Sequence, residues 1–166
     1  MRANIAMNKQ IKEFIFSDFF PYQVRVYYTS ISSKVREAYA MSHGLSVHEW
    51  RVLVVLNEHK HVTAKDVVKH SSMAKVNVSR GVADLEKRKY LERHEDPTDR
   101  RAVLLNLTPK GKKAMTELIP IVRDVEKQAL DGLSGDERET LIRLMEKVRL
   151  NAEGIKLNPS DQTTIK

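Results

Sequence analysis

The sequence predicts a mainly α-helical protein (α+β) with a small antiparallel β-wing, in which a winged helix-turn-helix is flanked by long N- and C-terminal helices. Apolar residues recur at spacings of three and four near both ends of the chain, which is typical of amphipathic helices. Between them, two helical segments joined by a turn precede two short strand-like segments. The segment Lys60 to Lys113 holds 14 basic residues against 7 acidic ones, whereas the whole chain holds 29 against 22. The net charge of +7 therefore lies in this segment, where a polyanion would bind.

The composition excludes several classes of protein. No apolar run approaches the roughly 18 residues of a membrane span. Met1 to Lys12 lacks the pattern of a secretory signal, so we expect a soluble, cytoplasmic protein. The chain contains no cysteine, which argues against a disulfide framework, a zinc ribbon and a thiol-based redox switch. We expect no cofactor.

Capping signals place the first helices. The first helix is expected from Asp18 to a stop at Gly44, which can take the left-handed conformation that ends helices. Ser46 and Glu49 have the spacing of a capping box that opens the second helix. Val52 to Leu56 is apolar on all sides, so this helix is expected at the centre of the core. The residues at this spacing lie on one apolar face of the first helix: Phe20, Val24, Tyr27, Ile31, Val35 and Ala38.

The basic segment has the pattern of a helix-turn-helix. A short helix opens at Thr63, where Thr63 and Asp66 resemble a capping box with aspartate in place of glutamate. A turn follows near Ser71 to Met73, and a second helix is expected from Lys75 to Arg88. The second helix of such a motif enters the DNA major groove, where arginine pairs with guanine and asparagine with adenine, each worth roughly 1–3 kcal/mol. Val78, Val82 and Leu85 form its apolar seam. The opposite face carries the predicted base-contacting residues Lys75, Asn77, Ser79 and Arg80, followed by Lys87 and Arg88.

Three further residues, Thr63, Lys65 and Ser72, are candidates for weaker phosphate contacts. For an arbitrary amphipathic helix, a polar face that simply contacts solvent would be the better interpretation. The wing that follows this helix favours DNA contact instead.

The wing is predicted as a hairpin of Leu91 to Glu95 and Ala102 to Leu107 around a basic loop. Asp99, Arg100 and Arg101 are the predicted DNA-binding residues of the loop, because arginines suit a narrow, negative minor groove. Asp99 and Arg101 could instead tie the loop together, and the two roles are compatible.

The C-terminal helices provide a second apolar surface. Thr108 and Pro109 mark a helix start, Pro120 is expected to kink that helix or shift its hydrogen bonds, and Ser134 opens another capping box. The terminal helices carry more apolar surface than one small domain needs, which predicts a homodimer. Such a dimer presents two recognition helices roughly 34–36 Å apart to a pseudo-palindromic operator. The last helix contributes Leu141, Leu144, Met145 and Val148.

These signals divide the chain into five predicted segments. They are an N-terminal arm, partly flexible, at 1–16; an N-terminal dimerisation helix at 17–44; a winged helix-turn-helix DNA-binding lobe at 45–113; C-terminal dimerisation helices at 114–155; and a flexible tail at 156–166.

The sequence resembles the multiple-antibiotic-resistance-regulator (MarR) family of bacterial transcription factors over about residues 20–150. The most specific part is the wing, Asp96-Pro97-Thr98-Asp99-Arg100-Arg101, with Leu107-Thr108-Pro109-Lys110-Gly111 after it. Two further segments support the resemblance. They are Gly44-Leu45-Ser46 before Glu49-Trp50-Arg51-Val52-Leu53, and Val78-Ser79-Arg80-Gly81-Val82 before Leu85-Glu86. Lys89 departs from the family pattern, which commonly has glycine there, and would take that turn at some strain cost.

The resemblance implies a homodimer, usually a repressor, that binds a palindrome through the recognition helix and the wing arginine. It also implies a small, often aromatic or anionic, effector that lodges between the dimerisation helices and the DNA-binding lobe. Aromatic faces beside a cation would suit an aromatic carboxylate, although packing in the core or dimer interface is an alternative use of such side chains. The candidate effector-binding residues are Arg25, Tyr28, His43, Trp50 and Arg51.

Other functional classes fit less well. His59, His61 and His70 could suggest a metal sensor, but without cysteine and with these histidines scattered over loops no metal site is expected. No clustered catalytic constellation or phosphate-binding glycine loop is present, so an enzyme is not expected. Two alternatives stay open: a constitutive regulator without a ligand, and an architectural DNA-binding protein without sequence preference. Competition with random DNA at different salt concentrations distinguishes the architectural protein from a sequence-specific regulator.

Overall fold

The computed structural model describes residues 14–95, 97 and 102–156, and confirms a mainly helical fold with a small antiparallel sheet. The chain divides after Ala129 into two compact units. In the described residues, a 3-10 turn at Phe16–Asp18 precedes the helices α1 Phe20–His43, α2 Val47–Glu58, α3 Ala64–Ser71, α4 Lys75–Lys87, α5 Pro109–Ala129 and α6 Gly135–Glu153. The strands are β1 Val62–Thr63, β2 Leu91–Glu95 and β3 Val103–Leu107.

The ends of α1 differ slightly from the prediction. The helix begins at Phe20 rather than Asp18, because Phe16–Asp18 form a separate 3-10 turn. Pro21 lies in the first turn of α1, where a missing N–H breaks no helical hydrogen bond. At the other end Gly44 has φ 61° and its N–H donates to the carbonyl of Ala40 at 2.8 Å. The predicted left-handed stop is confirmed.

All three predicted capping boxes are present, and they fix where α2, α3 and α6 begin. In the first, the N–H of Ser46 donates to Glu49 Oε2 at 2.8 Å, while Ser46 Oγ accepts from the Glu49 N–H at 3.3 Å. Ser134 and Glu137 make the same reciprocal pair at the start of α6. Each box satisfies two backbone donors that a helix N-terminus otherwise leaves unpaired.

The core of the first unit is centred on α2, as predicted. Val52 and Leu53 are fully buried, and Val55 and Leu56 are buried beside them. Val54 is the exception, since it is half-buried and lines a surface pocket. Other fully buried side chains come from different elements and close the core: Leu85 of α4, Leu105 of β3 and Leu118 of α5.

The sheet has three strands, in the order β1-β3-β2, where the sequence predicted two. The hairpin pairs Leu91 with Leu107 and Glu95 with Val103 in antiparallel register. The additional strand, β1, pairs Val62 with Leu105. It is only two residues long, so it has no alternation that a sequence pattern could reveal. The return strand begins at Val103, one residue after the predicted start.

The second unit consists of a turn and α6. Gly132 has φ 81°, and Arg138 donates to the carbonyls of Leu130 and Leu133, which fixes the turn before the helix. No side chain of α6 is buried.

In the first unit, Pro120 lies within α5, and the helix continues through it. None of the helices in the described ranges combines the length and apolar character needed to cross a membrane.

Candidate nucleic-acid interface

The recognition helix α4 packs through one side and exposes the other. Its buried side chains are Val78, Val82 and Leu85, as the sequence predicted, together with Gly81. Because successive helical residues advance about 100° around the axis, the opposite side is centred on residues 76, 80, 83 and 87. The structure exposes all four of these residues: Val76, Arg80, Ala83 and Lys87.

Three of the four predicted base-contacting residues are exposed, and one of them, Arg80, lies near the centre of this exposed side. Lys75, Ser79 and Arg80 are exposed in the first two turns of α4, and Asn77 is half-buried at the edge of the buried side. Val76, for which the sequence predicted no role, lies among them and is exposed. The exposed group therefore combines two cations, a hydroxyl and one apolar side chain.

Gly81 holds α4 close to α2. A Cβ atom at this position would lie 2.9 Å from the backbone oxygen of His48. No side chain larger than hydrogen fits there without moving one of the two helices. The Arg80-Gly81-Val82 sequence thus combines an exposed cation with the residue that sets the distance between the recognition helix and the core.

The predicted phosphate contacts differ in their availability. Lys65 and Ser72 are exposed, and Ser72 takes the left-handed conformation in the turn before α4, with φ 53°. Thr63 caps α3 instead. Its hydroxyl donates to Asp66 Oδ2 at 2.6 Å, which together with the Thr63 N–H lowers the pKa of that carboxyl. The hydroxyl has one proton, so Thr63 keeps none for a phosphate oxygen.

Arg88 does not lie on the exposed polar side of α4, contrary to the prediction, because it is paired with Glu49. Its Nη1 donates to Glu49 Oε1 at 2.7 Å and to the carbonyl of Gly44 at 3.1 Å. Its Nη2 donates to the carbonyl of His43 at 2.6 Å. Arg88 therefore ties the C-terminal end of α4 to the junction between α1 and α2. A pair separated by 39 residues carries no local sequence signal, and the sequence around Glu49 indicates only a capping residue.

Glu49 is a buried acid held in its charged form. Burial by itself raises the pKa of this carboxyl, but the Ser46 N–H and the Arg88 guanidinium donate to it, and the net effect lowers its pKa. The Arg88 guanidinium also lies 4.9 Å from the centre of the Tyr90 ring, and Lys110 Nζ lies 4.6 Å from the same ring. Two cations of the basic segment thus support the fold around the start of β2.

The turn into the wing is strained, as the sequence predicted for Lys89. Lys89 has φ 61°, and its carbonyl accepts from the Thr108 hydroxyl at 2.7 Å. From α4 to β2, Arg93 Nε donates a bifurcated hydrogen bond to the two carboxylate oxygens of Glu86 at 3.1 and 2.9 Å. These contacts position the start of the hairpin relative to the recognition helix. The predicted tip residues Asp99, Arg100 and Arg101 lie outside the described residues.

Three of the five candidate effector residues meet in one open pocket of about 530 Å³. Arg51 Nη2 donates to the hydroxyl of Tyr28 at 3.0 Å, and Arg51 Nη1 to the carbonyl of Ser71 at 3.4 Å. Trp50 lines the pocket and stacks on Tyr39 with ring centres 5.2 Å apart. The remaining lining residues, which the sequence did not indicate, are Val54, Val55, His70, Ser71 and Ser72.

The other two candidates do not line this pocket. Arg25 is exposed on α1. The ring of His43 lies between Ser42 Oγ, 2.7 Å from Nδ1, and Glu117 Oε2, 3.0 Å from Nε2. The rings of His59 and His70 lie with their centres 4.3 Å apart and their planes tilted by 35°. No cluster of three or more potential metal ligands occurs among the residues that the structure describes.

Comparison with known proteins agrees with this architecture. A sequence model of the MarR family matches residues 43–102. YkoM, an uncharacterised helix-turn-helix-type transcriptional regulator of Bacillus subtilis, is 30% identical over 111 residues, which are 67% of this chain and 72% of YkoM.

Two solved structures are similar over most of the chain. One, from a study of how 6-hydroxynicotinic acid regulates DNA binding by Bordetella bronchiseptica BpsR, has 26% identity, a TM-score of 0.73 and coverage of 82% of this chain and 96% of that one. A MarR/EmrR family regulator from Acinetobacter sp. ADP1 has 25% identity, a TM-score of 0.77 and coverage of 86% and 100%. The chain therefore belongs to the MarR family of transcriptional regulators.

Proposed function

We propose that the chain is a cytoplasmic, non-enzymatic repressor that binds a pseudo-palindromic DNA operator as a homodimer and releases it when a small effector binds. The observation that carries this proposal is the N-terminal half of α4, where Lys75, Ser79 and Arg80 are exposed to solvent while Val78 and Val82 pack into the core. That end of a recognition helix meets the base edges in the major groove. The excess positive charge of Lys60 to Lys113 supplies attraction to phosphates.

We assign different roles to the residues of this surface. Arg80 pairs with a guanine, and Lys75, Ser79 and Asn77 add polar contacts to neighbouring bases or phosphates. Lys65 and Ser72 contact phosphates at the edge of the groove. In the wing, Arg100 and Arg101 enter the minor groove, and Asp99 orients one of them. The orientation of the β2–β3 hairpin beside α4 supports the wing assignment.

Replacing Arg80 tests the proposal that α4 recognises a sequence. We expect Arg80→Ala to weaken binding to a selected operator by roughly 1–3 kcal/mol, and to weaken binding to random DNA much less. Electrophoretic or fluorescence titrations on both DNAs, at two salt concentrations, measure the difference. Lys87→Ala is the matched control, since Lys87 is an exposed cation of the same helix far from its N-terminal end. Equal losses on operator and random DNA would favour an architectural DNA-binding protein.

We further propose that the Tyr28–Trp50–Arg51 pocket binds an aromatic carboxylate. Arg51 offers a cation, and Tyr28 and Trp50 offer aromatic faces. The pocket also includes Ser71 and Ser72, which belong to the end of α3 and the turn before the recognition helix. A ligand held by Arg51 would compete with the contact to the Ser71 carbonyl and so act on that turn. The regulation of BpsR by an aromatic acid supports this class of ligand.

A thermal-shift screen of aromatic acids and their thioesters tests the pocket. A ligand at about 100 times its dissociation constant stabilises the folded state by about 2.7 kcal/mol, so a bound acid raises the melting temperature. We expect Arg51→Met to abolish the shift. Arg25→Met, which removes an exposed arginine outside the pocket, is expected to keep it. If no acid shifts the wild-type protein, the constitutive alternative is favoured.

A further inference from the structure

One large apolar side chain is exposed on the DNA-facing side of α4. Val76 is 65% exposed in the first turn of the helix. Among the described residues from 45 to 113, the only other exposed large hydrophobic residue is Val103. All the remaining ones lie at 14–41 or 119–155, on or directly beside the helices that we assign to the dimer. Val76 therefore does not belong to the apolar surface that a second copy of the chain would cover.

Neither packing nor helix formation explains a valine at this position. The buried side of α4 consists of Val78, Gly81, Val82 and Leu85, and Val76 points away from it. A β-branched side chain loses rotamer freedom in a helix, and valine is a poorer helix former than alanine. The apolar side chain of Val76 gains a favourable free energy of burial only if a binding partner covers it.

The neighbours of Val76 indicate the chemistry of that partner. Lys75, Ser79 and Arg80 surround it with two cations and a hydroxyl, all exposed. These groups suit phosphates and the polar edges of bases. In the major groove, the one apolar group among the polar base edges is the C5-methyl of thymine. A branched apolar side chain amid polar DNA-contacting residues fits that methyl group.

We propose that Val76 packs against the methyl group of a thymine in each operator half-site, beside the base that Arg80 contacts. This inference rests on the proposed function, because it requires α4 to enter the major groove. It adds a specificity-determining residue and predicts a thymine in the half-site.

The test removes the methyl group from the DNA and the valine from the protein. An operator is first selected with the wild-type protein from random sequences. Each thymine of one half-site is then replaced by uracil, which lacks only the methyl group and keeps the base pairing. At one position we expect wild-type affinity to fall roughly fourfold, the equivalent of one buried methyl group. Val76→Ala is expected to bind the thymine operator more weakly than the wild type by roughly the same factor. Replacing that thymine by uracil is expected to cause no further loss of affinity in this variant.

Val103→Ala controls for the loss of an exposed valine elsewhere in the lobe, and is expected to keep the wild-type response to uracil. Thermal unfolding by circular dichroism checks that Val76→Ala is folded. An operator without any uracil-sensitive position, or an unchanged response in Val76→Ala, overturns the thymine contact and leaves sequence-specific binding intact. Failure to select any operator would overturn both proposals.

Discussion

At the junction of β3 and α5, the backbone of Gly111 passes very close to the carbonyl of Tyr90. A Cβ atom on Gly111 would lie 2.0 Å from that oxygen and 3.3 Å from a methyl group of Leu107. The oxygen cannot move freely, since it accepts from the Thr108 N–H at 3.1 Å. Alanine normally improves a helix by removing the flexibility of glycine. Here the contact with backbone outweighs that gain.

We expect Gly111→Ala to destabilise the protein by about 3 kcal/mol, the upper range for overpacking a tight site. Urea denaturation followed by circular dichroism measures the free energy of unfolding. Gly135→Ala is the matched control, because Gly135 also lies in the first turn of a helix but has nothing within 4 Å of its added Cβ. We expect that variant to be neutral or slightly more stable. Equal effects of the two substitutions would contradict the steric argument.

At the scale of the elements, the Glu49–Arg88 ion pair links the end of the recognition helix to the α1–α2 junction. Glu49 is buried and Arg88 about one-third exposed, so water screens the pair less than an ion pair on the surface. Arg88 also bonds to the carbonyls of His43 and Gly44, which end α1. The orientation of α4 therefore depends on a polar contact with the first two helices as well as on its apolar seam.

Glu49 is expected to make stability depend on pH. Its pKa is lower in the folded state than the ordinary value, so the unfolded chain takes up the proton first as the pH falls. The charge of Glu49 therefore makes its full contribution to stability above the ordinary pKa, roughly 4.3. That contribution is lost as the pH falls through the pKa of Glu49 in the folded state. We expect Glu49→Gln to cost about 1–3 kcal/mol near neutral pH and progressively less in acid.

Glu86→Gln is the control for this measurement. Glu86 also bonds to an arginine, Arg93, but both side chains are more than two-fifths exposed. Exposed pairs contribute about 0–1 kcal/mol, so this substitution is expected to change stability little at any pH. A Glu49→Gln cost that stays constant between neutral and acidic pH would show that the charge of Glu49 does not stabilise the fold.

The elements that the sequence predicted well are those with local causes. Capping boxes place two interacting residues three positions apart, and the αL stop at Gly44 depends on one residue. The long-range features have no such signature. The β1–β3 pairing and the Glu49–Arg88 contact join residues about 40 positions apart, and neither was predicted. Likewise, Arg25 and His43 were among the five predicted effector residues but lie outside the pocket, because helical spacing does not fix which helices meet.

At the scale of the whole molecule, charge and exposed apolar surface occupy different parts of the sequence. The excess of basic residues lies in Lys60 to Lys113. The exposed large apolar side chains lie almost entirely at 14–41 and 119–155. In α6, none of the side chains is buried within its own chain, although the helix has six large apolar residues: Leu141, Ile142, Leu144, Met145, Val148 and Leu150. Exposure on this scale marks an interaction surface, and we assign it to a second copy of the chain.

We expect the protein to be a dimer at micromolar concentration, with a light-scattering mass twice the chain's 19.1 kDa. Leu144→Glu is expected to dissociate the dimer by placing a charge in an apolar interface. Arg143→Gln changes the net charge by the same amount on the polar side of the helix and is expected to stay dimeric. Since many such dimers have no stable monomer, Leu144→Glu could unfold. The melting temperature of the wild type therefore provides a second measurement.

If folding and dimerisation are coupled, the wild-type melting temperature rises with protein concentration. In the Leu144→Glu variant, operator affinity is expected to fall steeply even if each chain stays folded, because a monomer engages one half-site and loses the gain from linking two sites. A wild-type mass of one chain together with a concentration-independent melting temperature would contradict the dimer. The operator would then have a single site, and a ligand in the Arg51 pocket could act only on the turn before α4, not on the spacing between two recognition helices.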